Sequence, residues 1–445
     1  MDLGNRLKVW LFLLADVLAL YTGLFITIFI RYGDDFYRQF LISHASPFTI
    51  IFIVWIAVFY IAGLYDLRKL RNNIDFLKTL FLCLGVNAAL SVLMFYLIPA
   101  FGIAPKTNLF IFIVVFAIIE IFWRRLLNRL MTFGEAPNNV LIIGNGPTAE
   151  EIKKVIGQTP QLGYNIKVEM DEKAAYAEPE SIRTAVNREH VNLIVVPQHL
   201  KSETKLVPIL YELFGKGVTV NDLASFYEVI MRKVPLADVE PAWFLENIER
   251  DVTFYDPLKR AVEFLGALAL GILLLPIEIV IGLLVLLTSR GPMIYKQIRV
   301  GEKGNNFTLY KFRTMKIDAE KNGPQWSTKN DARTTIIGGI LRRSHLDELP
   351  QLWNIVGGSL SFVGPRPERP EFVEALEKKI PYYEARLLIK PGVTGWAQIH
   401  HHADLTDDDV KQKLQYDIYY LKHRSPILDL AIILKTAKSI FVTPQ

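Results

Sequence analysis

Long apolar blocks dominate the first quarter of the sequence. There are four of them, Val9–Ile30, Pro47–Leu64, Leu77–Phe101 and Leu109–Trp123. Each is about long enough to cross the hydrocarbon layer of a membrane as an α-helix, and a helix satisfies its own backbone hydrogen bonds there. The pattern therefore predicts a bundle of four transmembrane helices over residues 1–130.

Basic residues at the ends of these blocks predict the orientation of the bundle. Lys and Arg accumulate in the cytoplasmic loops of membrane proteins. Basic side chains precede the first block and follow the second and fourth blocks: Arg6, Lys8, Arg68, Lys69, Arg71, Arg124, Arg125 and Arg129. We therefore expect both ends of the bundle to face the cytoplasm, in an inner membrane.

The hydrophobic pattern changes after the fourth block to short apolar runs separated by polar segments. Strands are predicted at Val140–Ile143, Ile166–Glu169, Leu193–Val196 and Val218–Val220, with a helix between the last two. Alternation of strands and helices is typical of a parallel sheet. Residues 136–235 are therefore predicted to form a small cytoplasmic α/β domain.

A glycine-rich turn follows the first predicted strand of this domain. Residues 144–149 read Gly-Asn-Gly-Pro-Thr-Ala and lead into a helical pattern. Such a turn can place backbone N–H groups around a phosphate. The sequence shows no acidic residue in an unambiguous ribose-binding place. A structural or assembly role is favoured, and nucleotide binding stays open.

A further apolar run, Ala261–Thr288, contains Pro276 near its middle. Basic residues stand on both sides of it, which is the cytoplasmic charge pattern at each end; they are Lys259, Arg260, Arg290, Lys296 and Arg299. Proline removes one backbone donor and kinks a helix. These features favour a re-entrant helix over residues 258–288 that breaks at Pro276, although proline also occurs in ordinary spanning helices.

Composition agrees with a membrane protein and limits the other possibilities. The chain has 445 residues, of which 51% are hydrophobic, and a formal net charge of +5. This mild and dispersed basic excess suits contact with anionic lipid headgroups and phosphorylated substrates, and it does not indicate nucleic acid binding. The single cysteine, Cys83, excludes an internal disulfide bond.

An adjacent acid pair, Asp347 and Glu348, is the strongest candidate for chemistry. Neighbouring carboxylates repel each other unless cations stabilise them. The candidate cations are Lys311, Arg313, Arg342, Arg343 and Arg366. Arginine holds phosphate oxygens through paired donors, and Mg²⁺ binds one or two carboxylates together with substrate phosphates. The constellation resembles a phosphoryl-transfer site, in which one carboxylate could attack phosphorus while the other holds the metal. An Asp-Glu pair taken alone favours the alternative, a solvated acidic turn paired with nearby arginines.

Several motifs resemble those of the bacterial sugar transferase family, the monotopic phosphoglycosyl transferases that act on polyprenyl phosphate. The matching stretches, in the family's order, are Gly291–Gly301, Phe307–Met315, Asp331–Arg333, Leu346–Asn354, Phe362–Glu368 and Lys390–Gln398. The N-terminal bundle, the Gly63–Asp66 segment and the α/β unit resemble the large-form members, whose middle domain is a degenerate Rossmann-like fold. The resemblance implies a monotopic catalytic domain over residues 255–445.

The resemblance also implies a reaction and its residues. Asp347 would attack the β-phosphorus of a UDP-sugar, release UMP and carry a sugar-phosphate to polyprenyl (undecaprenyl) phosphate, which initiates exopolysaccharide, capsule or O-antigen synthesis. Glu348, together with Asp347, would bind Mg²⁺, and Pro276 would be the break in the re-entrant helix. The implied phosphate-binding residues are Arg342, Arg366, Lys311 and Arg313. A homodimer is a possible assembly.

Two departures and two rival functions accompany this interpretation. Residues His400, His401 and His402 replace a polar turn found in many members, and they suit a sugar-pocket or surface turn better than a metal site. His345 stands at a position where small polar residues are frequent in the family.

Two rival functions stay open at this point. A membrane-bound nucleotide-sugar dehydratase would require a full dinucleotide fold after residue 250, and a non-enzymatic scaffold would leave the acid pair unused.

Overall fold

The computed structural model describes residues 3–65, 74–98, 106–132, 138–201, 203–248, 254–317, 319, 331, 333–401 and 406–442. The chain divides into two compact units, Met1–Met231 and Arg232–Gln445. Some residues of the sequence interpretation lie outside the described residues; they are Asp66, Arg68, Lys69, Arg71, Phe101, Ala332 and His402.

The first unit begins with apolar helices. They are α1 (Leu3–Tyr32), the short α2 (Phe36–Gln39), α3 (Ala45–Ala62), α4 (Ile74–Leu97) and α5 (Lys106–Thr132). Aromatic rings fill their shared core, where Trp55 contacts Phe112 and Phe116 with ring centroids 5.3 and 5.5 Å apart. The predicted helical bundle is confirmed. Three helical stretches among the described residues of both units are long and apolar enough to cross a membrane: Val9–Ala62, Thr79–Tyr96 and Tyr255–Thr288.

The location of Arg124 differs from the prediction, which placed this residue in a basic loop after the fourth apolar block. Helix α5 continues to Thr132, and the Arg124 side chain is fully buried within the bundle. It donates hydrogen bonds to Asp16 Oδ2 at 2.5 Å, Glu120 Oε1 at 2.6 Å and the Leu64 carbonyl at 2.7 Å. Arg124 therefore ties α1 and α5 to the end of α3, and its charge does not count toward the orientation of the bundle.

The same unit contains a four-stranded parallel sheet in the order β2-β1-β3-β4. Its elements are β1 (Asn138–Ile143), α6 (Pro147–Gln158), β2 (Tyr164–Met170), α7 (Glu172–Ala177), α8 (Pro179–Arg188), β3 (Leu193–Val196), α9 (Gln198–Lys201), α10 (Val207–Gly215), β4 (Thr219–Asp222) and α11 (Leu223–Met231). Alternate residues of β1 enter two different apolar clusters, because successive side chains of a strand point to opposite faces. The prediction of a small parallel sheet with four strands is confirmed.

The second unit is built around one long helix, α13 (Tyr255–Thr288). This helix is continuous through Pro276, so the break predicted at that residue is wrong. The other elements are α12 (Pro241–Asn247), β5 (Ile294–Val300), β6 (Asn306–Phe312), α14 (Ile336–Arg343), α15 (Gln351–Gly357), β7 (Ser361–Val363), α16 (Pro370–Glu377), β8 (Gly392–Thr394), α17 (Asp407–His423) and α18 (Pro426–Val442). Strands β5 and β6 form an antiparallel hairpin, and β7 pairs with β8 in parallel.

One stripe of α13 packs against the rest of this unit along both halves of the helix. Ala267 in the first half lies in a cluster with Leu352 and Ile355 of α15. Ile281 and Val285 in the second half lie in a cluster with Phe312 of β6 and Leu341 of α14, beside Leu346 and Leu349. Large apolar side chains on the other faces of α13 are exposed. The stripe therefore fixes the position of the residues that flank the acid pair.

Candidate active site

The acid pair lies on a short 3-10 turn, Leu346–Glu348, directly after α14. His345 precedes the turn with a φ of 56°, in the left-handed region, which ends the helix and redirects the chain. Leu346 and Leu349, on either side of the acids, pack against Ile281 and Val285 of α13. This anchoring leaves the two carboxylates with little freedom, and Asp347 is only 8% exposed.

Two segments of the second unit bring a cation to Glu348. Lys311 Nζ, from β6, lies 2.7 Å from Glu348 Oε1. Arg366 NH2, from the Pro365–Pro367 turn after β7, lies 3.4 Å from the same oxygen. Two of the residues expected from the sequence therefore meet the acid pair, and Glu348 is the point at which they meet.

The two carboxyl groups have opposite pKa shifts. Burial raises the pKa of Asp347 above its usual value of 3.8, with Glu348 adding to the effect and Lys311 opposing it. Burial also acts to raise the pKa of Glu348, but Lys311 and Arg366 outweigh it and lower that pKa to about 2. Neighbouring acids with separated pKa values are typical of sites with divided roles. Glu348 is ionised over the whole physiological range, and Asp347 is the group whose charge responds to its surroundings.

Arg342 lies on the last turn of α14, near the acid pair. Its Nε donates to Thr314 Oγ1 at 2.9 Å, and its NH1 lies 3.4 Å from Thr334 Oγ1. The positive charge of Arg342 also lowers the pKa of Asp347, against the larger effect of burial. The two threonines orient the guanidinium close to the nucleophile candidate.

Arg313 has a different environment from Lys311 and Arg366. Its NH2 donates to the Ser289 carbonyl at 2.8 Å and to Ser289 Oγ at 2.6 Å, at the end of α13. The side chain is 5% exposed, and its Nε and NH1 have no hydrogen-bond partner among the described residues. A Cβ atom at Gly291 would lie too close to this guanidinium, so glycine gives it room. Phosphate binding by Arg313 stays a prediction.

A buried network that the sequence interpretation did not assign holds the turn that carries Arg366. Arg386 NH2 donates to the Arg366 carbonyl at 2.9 Å, and Arg386 NH1 donates to Tyr383 Oη at 2.7 Å. Arg386 also pairs with Asp417 at 3.1 Å. Arg299 NH1 donates to the Pro367 carbonyl at 2.8 Å. Arg299 lies in the first of the family-like motifs, whereas no local sequence pattern marks Arg386.

The histidine run occupies an aromatic environment. His400 Nδ1 lies 2.9 Å from the Trp396 carbonyl oxygen, and its ring stacks on Tyr416 with centroids 5.2 Å apart. His401 Nε2 lies 3.1 Å from Asp409 Oδ1. Within the described residues, no group of three or more His, Cys, Asp or Glu side chains is arranged to hold a metal ion. The described histidines are held by separate partners.

Comparison with known proteins adds independent information. A family model described as "Bacterial sugar transferase" matches residues 254–443. A "UDP-glucose:undecaprenyl-phosphate glucose-1-phosphate transferase" of Xanthomonas campestris pv. campestris is 30% identical over 71% of this chain and 69% of that protein. A protein of the same name from Klebsiella pneumoniae is 27% identical over 96% of this chain and 94% of its own length.

A third relative differs in the sugar that its name specifies. It is the "UDP-N-acetylgalactosamine-undecaprenyl-phosphate N-acetylgalactosaminephosphotransferase" of Aeromonas hydrophila, 31% identical over 55% of this chain and 62% of that protein. The acid pair, Lys311 and Arg366 all lie within the stretch that the family model matches.

Proposed function

The chain belongs to the bacterial sugar transferase family, and we propose that it transfers a sugar 1-phosphate from a UDP-sugar to undecaprenyl phosphate with release of UMP. It is an enzyme of the undecaprenyl-phosphate sugar phosphotransferase class, whose reaction initiates polysaccharide synthesis. The observation that carries the proposal is the buried acid pair whose second member is held by Lys311 at 2.7 Å and Arg366 at 3.4 Å.

The proposed chemistry has two displacements at one phosphorus atom. An oxygen of the Asp347 carboxylate attacks the β-phosphorus, the bond from that phosphorus to the α-phosphate oxygen breaks, and UMP leaves with the electron pair. An oxygen of undecaprenyl phosphate then attacks the same phosphorus, and the carboxylate leaves. The burial of Asp347 supports this role, because a poorly solvated carboxylate surrounded by Lys311 and Arg342 is oriented for attack.

Mg²⁺ suits the donor set of the site. Mg²⁺ binds one or two carboxylates and takes its remaining ligands from water and substrate phosphates. Glu348, with Asp347, would hold the ion. When bound, it would neutralise charge on the phosphate oxygens. Lys311, Arg342, Arg366 and Arg313 are the proposed cationic partners of those oxygens.

Arg386 provides a test of the donor-binding part of this proposal. Replacement of Arg386 by Lys is expected to raise the KM for the UDP-sugar about tenfold with a smaller change in kcat, because one ammonium cannot hold Tyr383, Asp417 and the Arg366 carbonyl together. Steady-state kinetics with varied donor measures the effect, and Arg188→Lys on the exposed surface is the matched control. A fall in kcat with unchanged KM would contradict donor positioning.

The proposed membrane arrangement has four spanning N-terminal helices and a re-entrant α13 at the cytoplasmic face of the inner membrane. Because α13 is continuous through Pro276, the proposal includes no break at that residue. Both ends of α13 contact the same unit, which supports re-entry. Arg260 donates to the carbonyls of Ile355 and Val356 at the start of the helix, and Val285 packs on Phe312 near its end. If both ends of a helix contact one domain in water, both ends lie on the same side of the bilayer. Such a helix does not span the bilayer.

Labelling from outside intact cells tests this arrangement. With Cys83 replaced by Ala, a cysteine introduced at Gln445 is expected to resist an impermeant thiol reagent, and a cysteine introduced near Met1 is expected to resist it equally. A cysteine at the exposed Asp34, between α1 and α3, is expected to react and serves as the outside control. Reaction at Gln445 in intact cells would reject re-entry.

The parallel-sheet domain is proposed to be a degenerate Rossmann-like unit with a structural or assembly role. A homodimer could form through this domain.

Purified protein incubated with UDP-sugars, Mg²⁺ and undecaprenyl phosphate tests the function as a whole. UMP release with sugar entering the lipid supports the transferase. Formation of a 4-keto sugar would instead indicate a dehydratase, and absence of turnover with every sugar would indicate a scaffold.

A further inference from the structure

Trp353 contacts α13 on both sides of Pro276. Its ring carbons Cζ2 and Cη2 lie 3.4 Å from the position that a Cβ atom would have at Gly271. Its Nε1 donates a hydrogen bond to Glu278 Oε2 at 3.1 Å. The indole therefore lies against the helix at Gly271, before the proline, while the hydrogen bond to Glu278 holds the helix after it.

Glu278 is an unusual residue in this helix. Its neighbours Ile277 and Ile279 are exposed and apolar, whereas the Glu278 side chain is 9% exposed and faces Trp353 of α15 in the same unit. Trp353 is the hydrogen-bond donor that the structure gives to its Oε2, and Oε1 has no partner among the described residues. A carboxyl group within an apolar membrane helix costs free energy, so such a group marks a functional position with a specific partner.

The contact leads directly to the acid pair. Trp353 lies on α15, which begins three residues after Glu348. Arg260, in the first half of α13, holds the other end of α15 through the carbonyls of Ile355 and Val356. The second half of α13 supports Leu346 and Leu349, which flank the acids. Contacts along both halves of α13 therefore fix where the acid pair lies relative to this helix.

We propose that Trp353 and Glu278 are positioning residues for the second step of the reaction, in which the lipid phosphate reaches Asp347. This inference rests on the proposed function. The UDP-sugar arrives from water, and its phosphate partners lie on β6, α14 and the Arg366 turn. The lipid phosphate arrives from the membrane, so its approach depends on the depth and angle of α13. Loosening the Trp353–Glu278 contact should therefore slow the lipid step and spare the donor step.

The experiment measures the two steps separately in full-length enzyme reconstituted in lipid nanodiscs. Donor alone gives a burst of UMP, and addition of undecaprenyl phosphate then discharges the enzyme-bound sugar-phosphate. Glu278→Leu and Trp353→Phe are each expected to slow the discharge about tenfold and to leave the burst within about twofold of wild type, since each removes the partly buried hydrogen bond between the indole and the carboxyl group. The double variant should be no slower than the slower single variant.

Two further variants distinguish positioning from packing. Glu278→Gln keeps an acceptor oxygen of the same shape and should restore the discharge rate to near that of wild type. Ile279→Leu, on an exposed face of the same helix, is the control and should change neither step. Wild-type discharge in Glu278→Leu, equal loss of both steps, or a Glu278→Gln variant as slow as Glu278→Leu would each overturn the proposal.

Failure of the covalent route would be recognised independently. Wild-type enzyme that gives no burst with donor alone contradicts the proposed two-step chemistry. In that case steady-state kinetics tests the positioning proposal. Glu278→Leu should then raise the KM for undecaprenyl phosphate about tenfold without changing the KM for the UDP-sugar. An unchanged acceptor KM would overturn it.

Discussion

Replacement of Asp347 by Asn is expected to abolish sugar-phosphate transfer and to leave the protein folded. The change is nearly isosteric but removes the negative charge that attacks phosphorus, so the rate of UMP release should fall by at least about a thousandfold. Burial raises the pKa of Asp347 above its ordinary value of 3.8. Because the folded state disfavours the ionised form relative to the unfolded chain, removal of this charge at neutral pH is not expected to lower the melting temperature.

Two measurements check this expectation. UMP release reports turnover, and mass spectrometry after incubation with donor alone should find a sugar-phosphate on the peptide that carries Asp347 in wild type and not in the variant. Asp408→Asn is the matched control, since the Asp408 side chain is 84% exposed on α17 and pairs with Lys411 at the surface. Substantial turnover in Asp347→Asn would refute the nucleophilic role.

The elements that positional patterns encode locally were predictable from the sequence. The strand Leu193–Val196 is an uninterrupted β-branched and apolar run, and the structure has β3 with those same bounds. The residues around the acid pair were predictable for another reason. Lys311 and Arg366 carry charges opposite to Glu348 and lie in motifs that resemble those of the sugar transferase family, so their approach to this acid was expected.

Features that depend on tertiary contacts were not predictable. Arg124 looked like a loop charge, because the two acids that neutralise it, Asp16 and Glu120, lie in apolar blocks where their pairing leaves no pattern. Arg386 is separated from the Arg366 turn by 20 residues, and nothing local indicates that its guanidinium holds the carbonyl of Arg366. Glu278 and Trp353 are 75 residues apart, so their contact also appears only in the folded chain.

Replacement of Glu348 by Gln is expected to lower turnover about a hundredfold or more. The carboxylate is the shared partner of Lys311 and Arg366 and the proposed ligand of Mg²⁺, so its loss leaves both cations misplaced and weakens metal binding. Titration with Mg²⁺ should show a higher concentration for half-maximal rate. Glu374→Gln, on the exposed face of α16, is the control that should behave as wild type.

The pH dependence of the same variant separates the roles of the two acids. In wild type, UMP release from donor alone should fall as pH falls through the raised pKa of Asp347, because a protonated carboxyl group is a poor nucleophile. The pKa of Glu348 is about 2, so Glu348 does not titrate in that range. Its negative charge helps to raise the pKa of Asp347, and removal of that charge should therefore move the acid limb to lower pH. A limb that moves to higher pH, or stays in place, would show that a group other than Asp347 controls the step.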